Sequence, residues 1–543
     1  MGVDTIIKSA HILTMEEACE SRGAARCGGG VLPEAIAIHA GRIRALGSNA
    51  EILALADSGT RVLDLAGKTV LPGFIDSHVH FTQAGLGSLG PQLYGIASHA
   101  QALEIISDAV GKAPRGAALL VHGCSLEQFD IPLEWTDLDR LAPHNPLMVG
   151  DVGAHACVVN TSAWNALGLS ADAPGVVRGQ DGKPVGVLRG ATNTRARYDY
   201  YNGVIDDATR KAALHRASKL ALQAGITTVH ALEGGTPDGR GWLPQRDVEV
   251  LLEEQEQLPV RTVVYFQSTR VDLAWQWGLP RIGGCVWVDG SYGEHTAALL
   301  EPYTDEPCTC GCLYFSQDEL DEFVWKAHLA GLQVSMHAIG DAAIEQLLTA
   351  YERALHKEPR ADHRHRIEHF SLPTENQIGR AAKLGIVAAM QPNFAQHPPI
   401  DTAGLPGTGA SQRGLEGLLG FERFRRRHPY RRLLDAGIVV AGGSDADPKP
   451  MGPLIGIGQL ASHPEEARHL SPYEALVLYT RNAAWAAFEE KDKGTLAVGK
   501  LADLVVLGDN PLTAPESEIA GIPVELTLVG GHIRHERQPV ELS

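Results

Sequence analysis

Histidine and aspartate residues recur where short apolar segments of the chain end. His78 and His80 close the segment that reads Asp-Ser-His-Val-His, and His337, His369 and Asp445 each close a later segment. In a strand, residues i and i+2 point to the same face, so the imidazoles of His78 and His80 converge. Imidazole and carboxylate groups are a ligand set for Zn²⁺ or a similar divalent ion. The five residues predict a metal site, provided that the fold brings the segments together.

Eight apolar segments have the composition of β-strands, and amphipathic helical patterns lie between them. The segments span residues 73–80, 226–231, 260–266, 285–289, 333–338, 366–370, 386–391 and 438–445. Strands that alternate with helices indicate an α/β fold with a parallel sheet, and eight such units fit a (β/α)8 TIM-like barrel. Active sites of these barrels lie at the carboxyl ends of the strands. Barrel closure would therefore aim the histidines and Asp445 at one volume.

The rest of the chain has a different pattern of residues. The stretch between residues 80 and 226 is too long for one crossover, which predicts an inserted α/β subdomain over residues 85–205. Both ends of the chain alternate apolar and polar residues around glycine-containing turns, a pattern typical of β-hairpins. Because chain termini often lie close together, we expect residues 1–70 and 490–543 to form a composite β-sandwich. The barrel would then span residues 71–489.

Composition limits the function classes. The 543 residues carry 47 Lys and Arg against 65 Asp and Glu, a net charge of −18. An acidic chain without a basic cluster is a poor binder of nucleic acid or anionic membranes. The first residues lack the pattern of a signal peptide, and eight cysteines are too few for a disulfide framework. We expect a cytoplasmic protein with a small-molecule substrate, and a homodimer if it self-associates. Three of the cysteines form a Cys-x-Cys-x-Cys run that we interpret as reduced loop thiols: Cys308, Cys310 and Cys312.

Longer stretches around these residues resemble the amidohydrolase superfamily of metal-dependent hydrolases, in particular the family 3 branch that contains N-substituted formamide deformylases. The matching stretches are residues 71–80, 288–291, 296–299, 337–341, 365–369, 391–394, 443–445 and 494–506. The resemblance extends over nearly the whole chain. It implies a (β/α)8 barrel with a composite β-sandwich, and hydrolysis of an amide-type bond by a metal-activated water.

The resemblance also implies a role for each strand-end residue. His78, His80, His337 and His369 would hold one or two divalent ions, with zinc the expected metal. Asp445 would be a ligand or near-ligand and the general base. It would then return the proton to the departing amine, because an amide anion is too poor a leaving group to depart unprotonated.

Cys285 is the main departure from this family pattern. Many binuclear members carry a carboxylated lysine on the fourth strand, and the corresponding position in this chain is Cys285. The thiolate would be a good zinc ligand or bridge. The residue would otherwise be a small buried core residue, or the bridge would be lost and the site would hold one ion. The sequence leaves these three interpretations open.

Several residues near the predicted mouth are candidates for substrate contact. Tyr292 and His295 follow the fourth strand in a loop that lines a barrel mouth, or that is simply solvated. His155 lies in the insert and is either close to the substrate or structural. His230 ends the second strand, where support of a ligand is the better interpretation than ligation.

These inferences predict a metal-dependent hydrolase that cleaves an N-acyl amine, an N-formyl amine or a related small amide. One alternative is hydrolytic deamination of a ring C–N bond, which uses similar ligands. Another is a barrel that has lost catalysis and serves as a scaffold or binding protein. A non-catalytic scaffold has no physical need for four convergent imidazoles, and this favours an enzyme.

Overall fold

The fold is described by a computed structural model. It covers residues 2–16, 26–27, 30–93, 95–124, 126, 129–151, 156–235, 244–395, 412–446 and 449–537. None of the helices in these ranges combines the length and the apolar composition needed to cross a membrane.

Eight parallel strands form a barrel, with each strand hydrogen-bonded to the next along the chain. The strands are β1 (Phe74–Val79), β2 (Ile226–Glu233), β3 (Arg261–Phe266), β4 (Arg281–Ile282), β5 (Gln333–Ala338), β6 (Arg366–His369), β7 (Val387–Met390) and β8 (Val440–Gly442). Most of these strands are buried along their whole length, as expected for a parallel sheet that helices cover. The predicted α/β barrel is confirmed.

Helices follow most of the barrel strands and pack their apolar faces against the sheet. Their bounds are Phe81–Leu89, Asp207–Gln223, Gln245–Glu254, Val271–Gln276, Gln317–Leu329, Asp341–Lys357, Glu375–Leu384, Gln412–Leu419, Phe421–Arg426, Tyr430–Asp435, Pro453–Ala461, Pro472–Leu478 and Arg481–Ala486. Ser316, Thr374 and Ser471 begin three of these helices, and each forms a capping box with the residue three positions later.

The barrel closes through hydrogen bonds between the segments that end β8 and β1. The amide of Asp445 donates to the carbonyl of His78 at 2.8 Å, and the amide of His80 donates to the carbonyl of Ala446 at 3.0 Å. A Cβ at Gly443 would lie 2.6 Å from the Cβ of His78. Glycine is therefore required at this point, since a side chain would push the two closing segments apart.

The fourth strand differs from the prediction. We expected residues 285–289, but the regular strand is Arg281–Ile282, and Gly283 and Gly284 follow it with φ values of 93° and 55°. The following residues then run beside β5, held by hydrogen bonds from Val288 N to His337 O at 3.0 Å and from His337 N to Val286 O at 3.1 Å. The two glycines interrupt the regular ladder because their backbone conformation suits residues without a side chain.

An α/β layer is inserted between β1 and β2. Its five strands lie in the order Leu119–Cys124, Leu147–Asp151, Ala156–Val159, Pro184–Arg189 and Val176–Arg178. Its helices are His99–Lys112, Trp135–Leu141, Thr161–Ala166 and Gly190–Asp199. The insert has its own apolar clusters on the two faces of this sheet.

The two ends of the chain build two further sheets that share a core. One sheet contains Arg42–Gly47, Ala35–His39, Thr5–Lys8 and Arg61–Asp64. The other contains His11–Ile12, Thr69–Pro72, Leu504–Leu507, Val524–Val529 and His532–Glu536. Leu504–Leu507 pairs antiparallel with Thr69–Pro72, so a C-terminal strand is joined to an N-terminal one. The shared core contains Ile7 and Ile36 from one sheet and Val70 and Val506 from the other.

Candidate metal centre

Two histidines and an aspartate meet where β1 ends. The Nε2 atoms of His78 and His80 lie 3.3 Å and 3.4 Å from Oδ1 of Asp445. His78 lies within β1, and His80 caps the helix that follows, while Asp445 lies three residues beyond the end of β8. The predicted convergence of β1 and β8 thus places two imidazoles and a carboxylate within ligand distance of one point.

A second group surrounds the thiol of Cys285 and also includes His78. Its Sγ atom lies 3.7 Å from Nδ1 of His337 and 3.7 Å from Nε2 of His369. His78, Cys285 and His369 are all buried, and their ligand atoms lie within 4.8 Å of one another. Because His78 also belongs to the first group, the two groups are adjacent and share this residue.

Each of the four imidazoles has its other ring nitrogen beside an oxygen acceptor. The distances are 2.5 Å from His78 Nδ1 to Glu368 Oε2, 3.1 Å from His80 Nδ1 to Leu232 O, 3.1 Å from His337 Nε2 to Gly290 O and 2.9 Å from His369 Nδ1 to Gln391 Oε1. Metal-ligating histidines usually donate their second N–H in this way, which fixes the tautomer and the ring orientation. The nitrogens that face Cys285 and Asp445 are therefore the ones that a metal ion would bind, and binding would displace the proton of any ring that is protonated.

Glu368 is held on both of its oxygens. Arg366 Nε donates to Oε1 at 2.8 Å and Nη2 donates to Oε2 at 2.9 Å, while the hydroxyl of Ser335 also donates to Oε1. The Arg366 guanidinium further donates to Nδ1 of His230 at 3.1 Å. His230 therefore contacts Arg366, which holds Glu368, and Glu368 in turn contacts the His78 ring.

The charges of the centre are mutually stabilising. Burial raises the pKa of the Cys285 thiol, but hydrogen bonds with His337 and His369 outweigh it and hold this pKa well below its usual range. Burial likewise raises the pKa of Asp445, and the charge of His78 more than offsets it, so this carboxyl is an anion. Burial lowers the pKa of His80, whereas hydrogen bonding to Asp445 raises it, with a net value of about 10.

Two of these residues have backbone conformations that side chains rarely adopt. His369 has a φ of 69° and Asp445 a φ of 55°. Left-handed conformations of non-glycine residues cost about 1–3 kcal/mol and are concentrated at functional sites. At His369 the turn brings two consecutive side chains, Glu368 and His369, to the same centre, although neighbours in a regular strand point to opposite faces.

The donor set fits a divalent metal ion. The buried Nε2 atom of His78 forms no well-aligned hydrogen bond within the described residues, although it lies 3.3 Å from Asp445 and the other nitrogen of the ring is satisfied. A buried ring nitrogen without a partner is costly, and a metal ion would compensate it. Four nitrogens, one sulfur and one carboxylate are ligands that zinc accepts, and they are sufficient for one ion in each group.

The other candidates lie outside this cluster. Tyr292 is buried, and its hydroxyl lies 3.4 Å from the carbonyl of Ile339. His295 has a φ of 52°, and its Nε2 atom lies 3.1 Å from Asp305. His155 lies outside the described residues. The thiols of the Cys-x-Cys-x-Cys run are exposed and free: Cys308, Cys310 and Cys312.

Sequence reasoning missed Glu368, Arg366 and Ser335, although two of them lie within a stretch that carries the family resemblance. One signal was available. Arg366 and Glu368 are two residues apart in a strand and must share a face, and a charged pair on the inner face of a barrel needs partners there.

Comparisons with known proteins show the family and the fold of the chain. A model described as the amidohydrolase family matches residues 61–535. The chain is 29% identical over 541 residues to the putative amidohydrolase YtcJ of Bacillus subtilis, a match that covers 93% of this chain and 96% of that protein. It is 26% identical over 539 residues to the N-substituted formamide deformylase of Arthrobacter pascens, with 93% and 95% covered. The crystal structure of an uncharacterized metal-dependent hydrolase from Pyrococcus furiosus has the same fold, with a TM-score of 0.77, 24% identity, and coverage of 94% of this chain and 100% of that one.

Proposed function

Because this chain belongs to the amidohydrolase family, we propose that it hydrolyses the C–N bond of a small N-formyl or N-acyl amine. The single observation that carries the proposal is the pair of adjacent ligand groups that share His78. The 26% identity to an N-substituted formamide deformylase along nearly its full length supports a formyl or similarly small acyl group.

The residues that would hold metal are His78, His80 and Asp445 in one group and Cys285, His337 and His369 in the other. His78 lies between the groups and would serve one ion only, since its Nδ1 atom is engaged by Glu368 and its Nε2 atom has a single lone pair. A bound divalent ion polarises a carbonyl and makes water acidic enough to react at neutral pH. Asp445, which touches both His78 and His80, would accept the proton of the attacking water. It would then deliver that proton to the amine nitrogen as the C–N bond breaks, since the amine must leave in neutral form.

Zinc is the proposed metal, and Cys285 is proposed as a thiolate ligand. Thiolate and imidazole together favour zinc over the hard cations Mg²⁺ and Ca²⁺, which prefer oxygen. A thiolate ligand must stay reduced, which suits the cytoplasm. The cysteines in the described ranges are free: Cys124, Cys157, Cys285, Cys308, Cys310 and Cys312.

Metal analysis of the wild type beside Cys285→Ser tests the centre. We expect up to two equivalents of zinc in the wild type and the loss of at least one in the variant, because serine is a far weaker zinc ligand than thiolate. Cys157→Ser is the matched control, since Cys157 is a buried free cysteine in the insert. Equal metal contents in all three proteins would exclude Cys285 as a ligand.

A product assay separates the proposed activity from ring deamination. Zinc-loaded protein is incubated with N-formyl arylalkylamines and, separately, with amino-substituted heterocycles. Release of formate and amine supports the proposal, whereas release of ammonia from the heterocycles alone would favour the deaminase. A metal-free protein that zinc or manganese does not activate on any of these compounds would point to a non-catalytic barrel.

A further inference from the structure

Arg427 is a buried cation that the proposed function does not use. Its side chain is 6% exposed, and its Nε atom has no hydrogen-bond partner. Within the described part of the chain, no carboxylate forms an ion pair with it. Removing a guanidinium from water without a counterion costs several kcal/mol, so such residues are rare unless a ligand supplies the charge.

Arg427 lies beside the carboxyl end of β6. The next residue, His428, donates its backbone N–H to the carbonyl of Ser371 at 2.8 Å, and both of its ring nitrogens lie 3.4 Å from the Ser371 hydroxyl. Ser371 follows the ligand His369 by two residues. The ring of Phe424 stacks below the guanidinium, with 4.5 Å from Cζ to the ring centroid. The chain thus fixes Arg427 on the same side of the barrel as the metal centre.

The neighbouring cation does not need an external partner. Arg468 pairs with Glu465 at 2.6 Å, and its Nε donates to the backbone carbonyl of Arg427 at 2.8 Å. Glu465 also lies within electrostatic reach of Arg427, but among the described residues it forms an ion pair with Arg468 and not with Arg427.

Two further polar side chains lie within electrostatic reach of Arg427. Burial lowers the pKa of His428 well below its usual range, and the charge of Arg427 lowers it further, so this imidazole is neutral. Burial raises the pKa of Tyr292, and the charge of Arg427 opposes that rise. In the part of the chain that the structure describes, the region therefore offers one positive charge without an ion pair, with neutral hydrogen-bonding groups beside it.

We propose that Arg427 binds a carboxylate of the substrate, so that the enzyme acts on amides that carry a carboxylate group, such as N-formyl or N-acyl amino acids. A single guanidinium without an ion pair matches a monovalent carboxylate better than a divalent phosphate. The planar guanidinium fork also suits a carboxylate. This substrate class rests on the proposed amide hydrolysis, but the carboxylate site itself is a separate claim.

Kinetics on a matched pair of compounds test the substrate class. N-formylphenylalanine and N-formyl-2-phenylethylamine differ only in the carboxylate. We expect wild-type kcat/KM to favour the carboxylate compound, and Arg427→Gln to reduce this preference by at least about tenfold, as expected for charge-assisted hydrogen bonds. Arg425→Gln is the charge-matched control, because Arg425 stacks on Phe421 at 5.5 Å and should leave the preference intact. A wild-type preference for the neutral compound, or an unchanged preference in Arg427→Gln, would overturn the proposal.

Binding and stability keep the carboxylate site testable if neither compound is hydrolysed. Calorimetry on the protein as purified should detect 3-phenylpropionate, with at least about tenfold weaker binding in Arg427→Gln than in Arg425→Gln. Inorganic phosphate is measured in parallel, and tighter binding of phosphate would overturn the assignment to a substrate carboxylate. Arg427→Met should raise the thermal midpoint of the ligand-free protein, since it removes an unpaired buried charge. A lower midpoint would show a structural role instead.

Discussion

The barrel buries histidines at both ends of the same strands, and the two groups differ in what faces their ring nitrogens. The mouth group consists of the histidines that surround Cys285 and Asp445, which are His78, His80, His337 and His369. The base group lies at the amino ends of β5 and β6 and consists of His328, His363 and His365, all of which are buried. His365 and His369 are four residues apart in one strand segment, yet one belongs to each group.

Backbone groups fix every ring of the base group in one neutral tautomer. Val334 N–H donates to His365 Nδ1 at 3.0 Å, so His365 Nε2 carries the proton that it shares with His328 Nδ1 at 2.9 Å. His328 Nε2 in turn donates to the carbonyl of Glu358 at 2.8 Å. His363 Nδ1 accepts from the amide of His365 at 2.9 Å. Burial lowers the pKa of each of these three histidines.

The mouth group shows the opposite arrangement. There each ring keeps one nitrogen on an oxygen acceptor, but the other faces a thiol or carboxylate, and the pKa of His80 rises to about 10. The comparison teaches that burial and residue type do not make a histidine a ligand. In the base group each acceptor nitrogen is occupied by an N–H donor of the protein, from the backbone or from a neighbouring imidazole, and such a nitrogen has no lone pair left for a metal ion.

The largest effect should come from the mouth. Asp445→Asn should reduce turnover by about 10²–10⁴-fold, the usual contribution of a general acid–base group, while the metal held by Cys285, His337 and His369 stays bound. Asp435→Asn is the control, since Asp435 is an exposed partner of Arg431. Turnover within a few-fold of wild type would exclude Asp445 as the base.

A second variant tests whether the oxygen acceptors behind the mouth imidazoles contribute to metal binding. Glu368→Gln should weaken metal binding by about 10–100-fold, because the His78 ring loses its orienting carboxylate. It should also reduce the free energy of unfolding by about 3–5 kcal/mol, because Arg366 is left as an unpaired buried charge. Competition with a chelator and denaturant unfolding measure the two effects.

Asp503→Asn provides the control for Glu368→Gln. It breaks the pair with Arg261, whose Nε lies 2.7 Å from Asp503 Oδ2, in the region where the barrel meets the C-terminal strands. This variant should lose stability and keep the metal affinity. An equal loss of metal from both variants would mean that the effect of Glu368 is only a general destabilisation.

A substitution in the base group should change the stability of the protein and nothing else. His365→Phe keeps a ring against Tyr351 but leaves Val334 N–H and His328 without their partner, so the free energy of unfolding should fall by about 1–3 kcal/mol for each unpaired group. Metal content and kcat should match the wild type. Loss of zinc from this variant would contradict the claim that the base histidines play no part in metal binding.

The smallest predicted effect is a pH dependence of stability. The folded-state pKa of each base histidine lies below its unfolded value of about 6.5, so the unfolded chain binds more protons as the pH falls through that value. The stability that each neutral ring contributes is therefore present above pH 6.5 and is lost at lower pH, and for His365, whose pKa lies well below its usual range, the loss is about 2 kcal/mol at pH 5. The stability difference between wild type and His365→Phe should thus shrink from pH 7.5 to pH 5 in denaturant titrations. A difference that grows on acidification would contradict the neutral assignment.

Much of the barrel, and the placement of residues at its mouth, follows from local sequence patterns. The carboxyl ends of parallel strands meet at one rim whatever the details of packing, so a histidine or aspartate at the end of a strand segment is placed at the mouth by the fold class alone. For this reason the barrel could be predicted from the sequence alone. The same holds for the positions at its rim of His78, His80, His337, His369 and Asp445. The bounds of β4 were wrong because a pair of glycines ends the regular ladder early, and strand composition does not encode that.

Only the tertiary structure decided what surrounds those residues. Cys285 lies among three imidazoles because Gly283 and Gly284 redirect the chain, and the left-handed turn at His369 brings it beside Glu368 at the same centre. The strand period of two would have put these neighbours on opposite faces. Contacts between segments far apart in sequence bury Arg427, and among the described residues they give it no ion pair. Composition and periodicity report local conformation, whereas ligand geometry and charge compensation depend on which distant groups the closed barrel brings into contact.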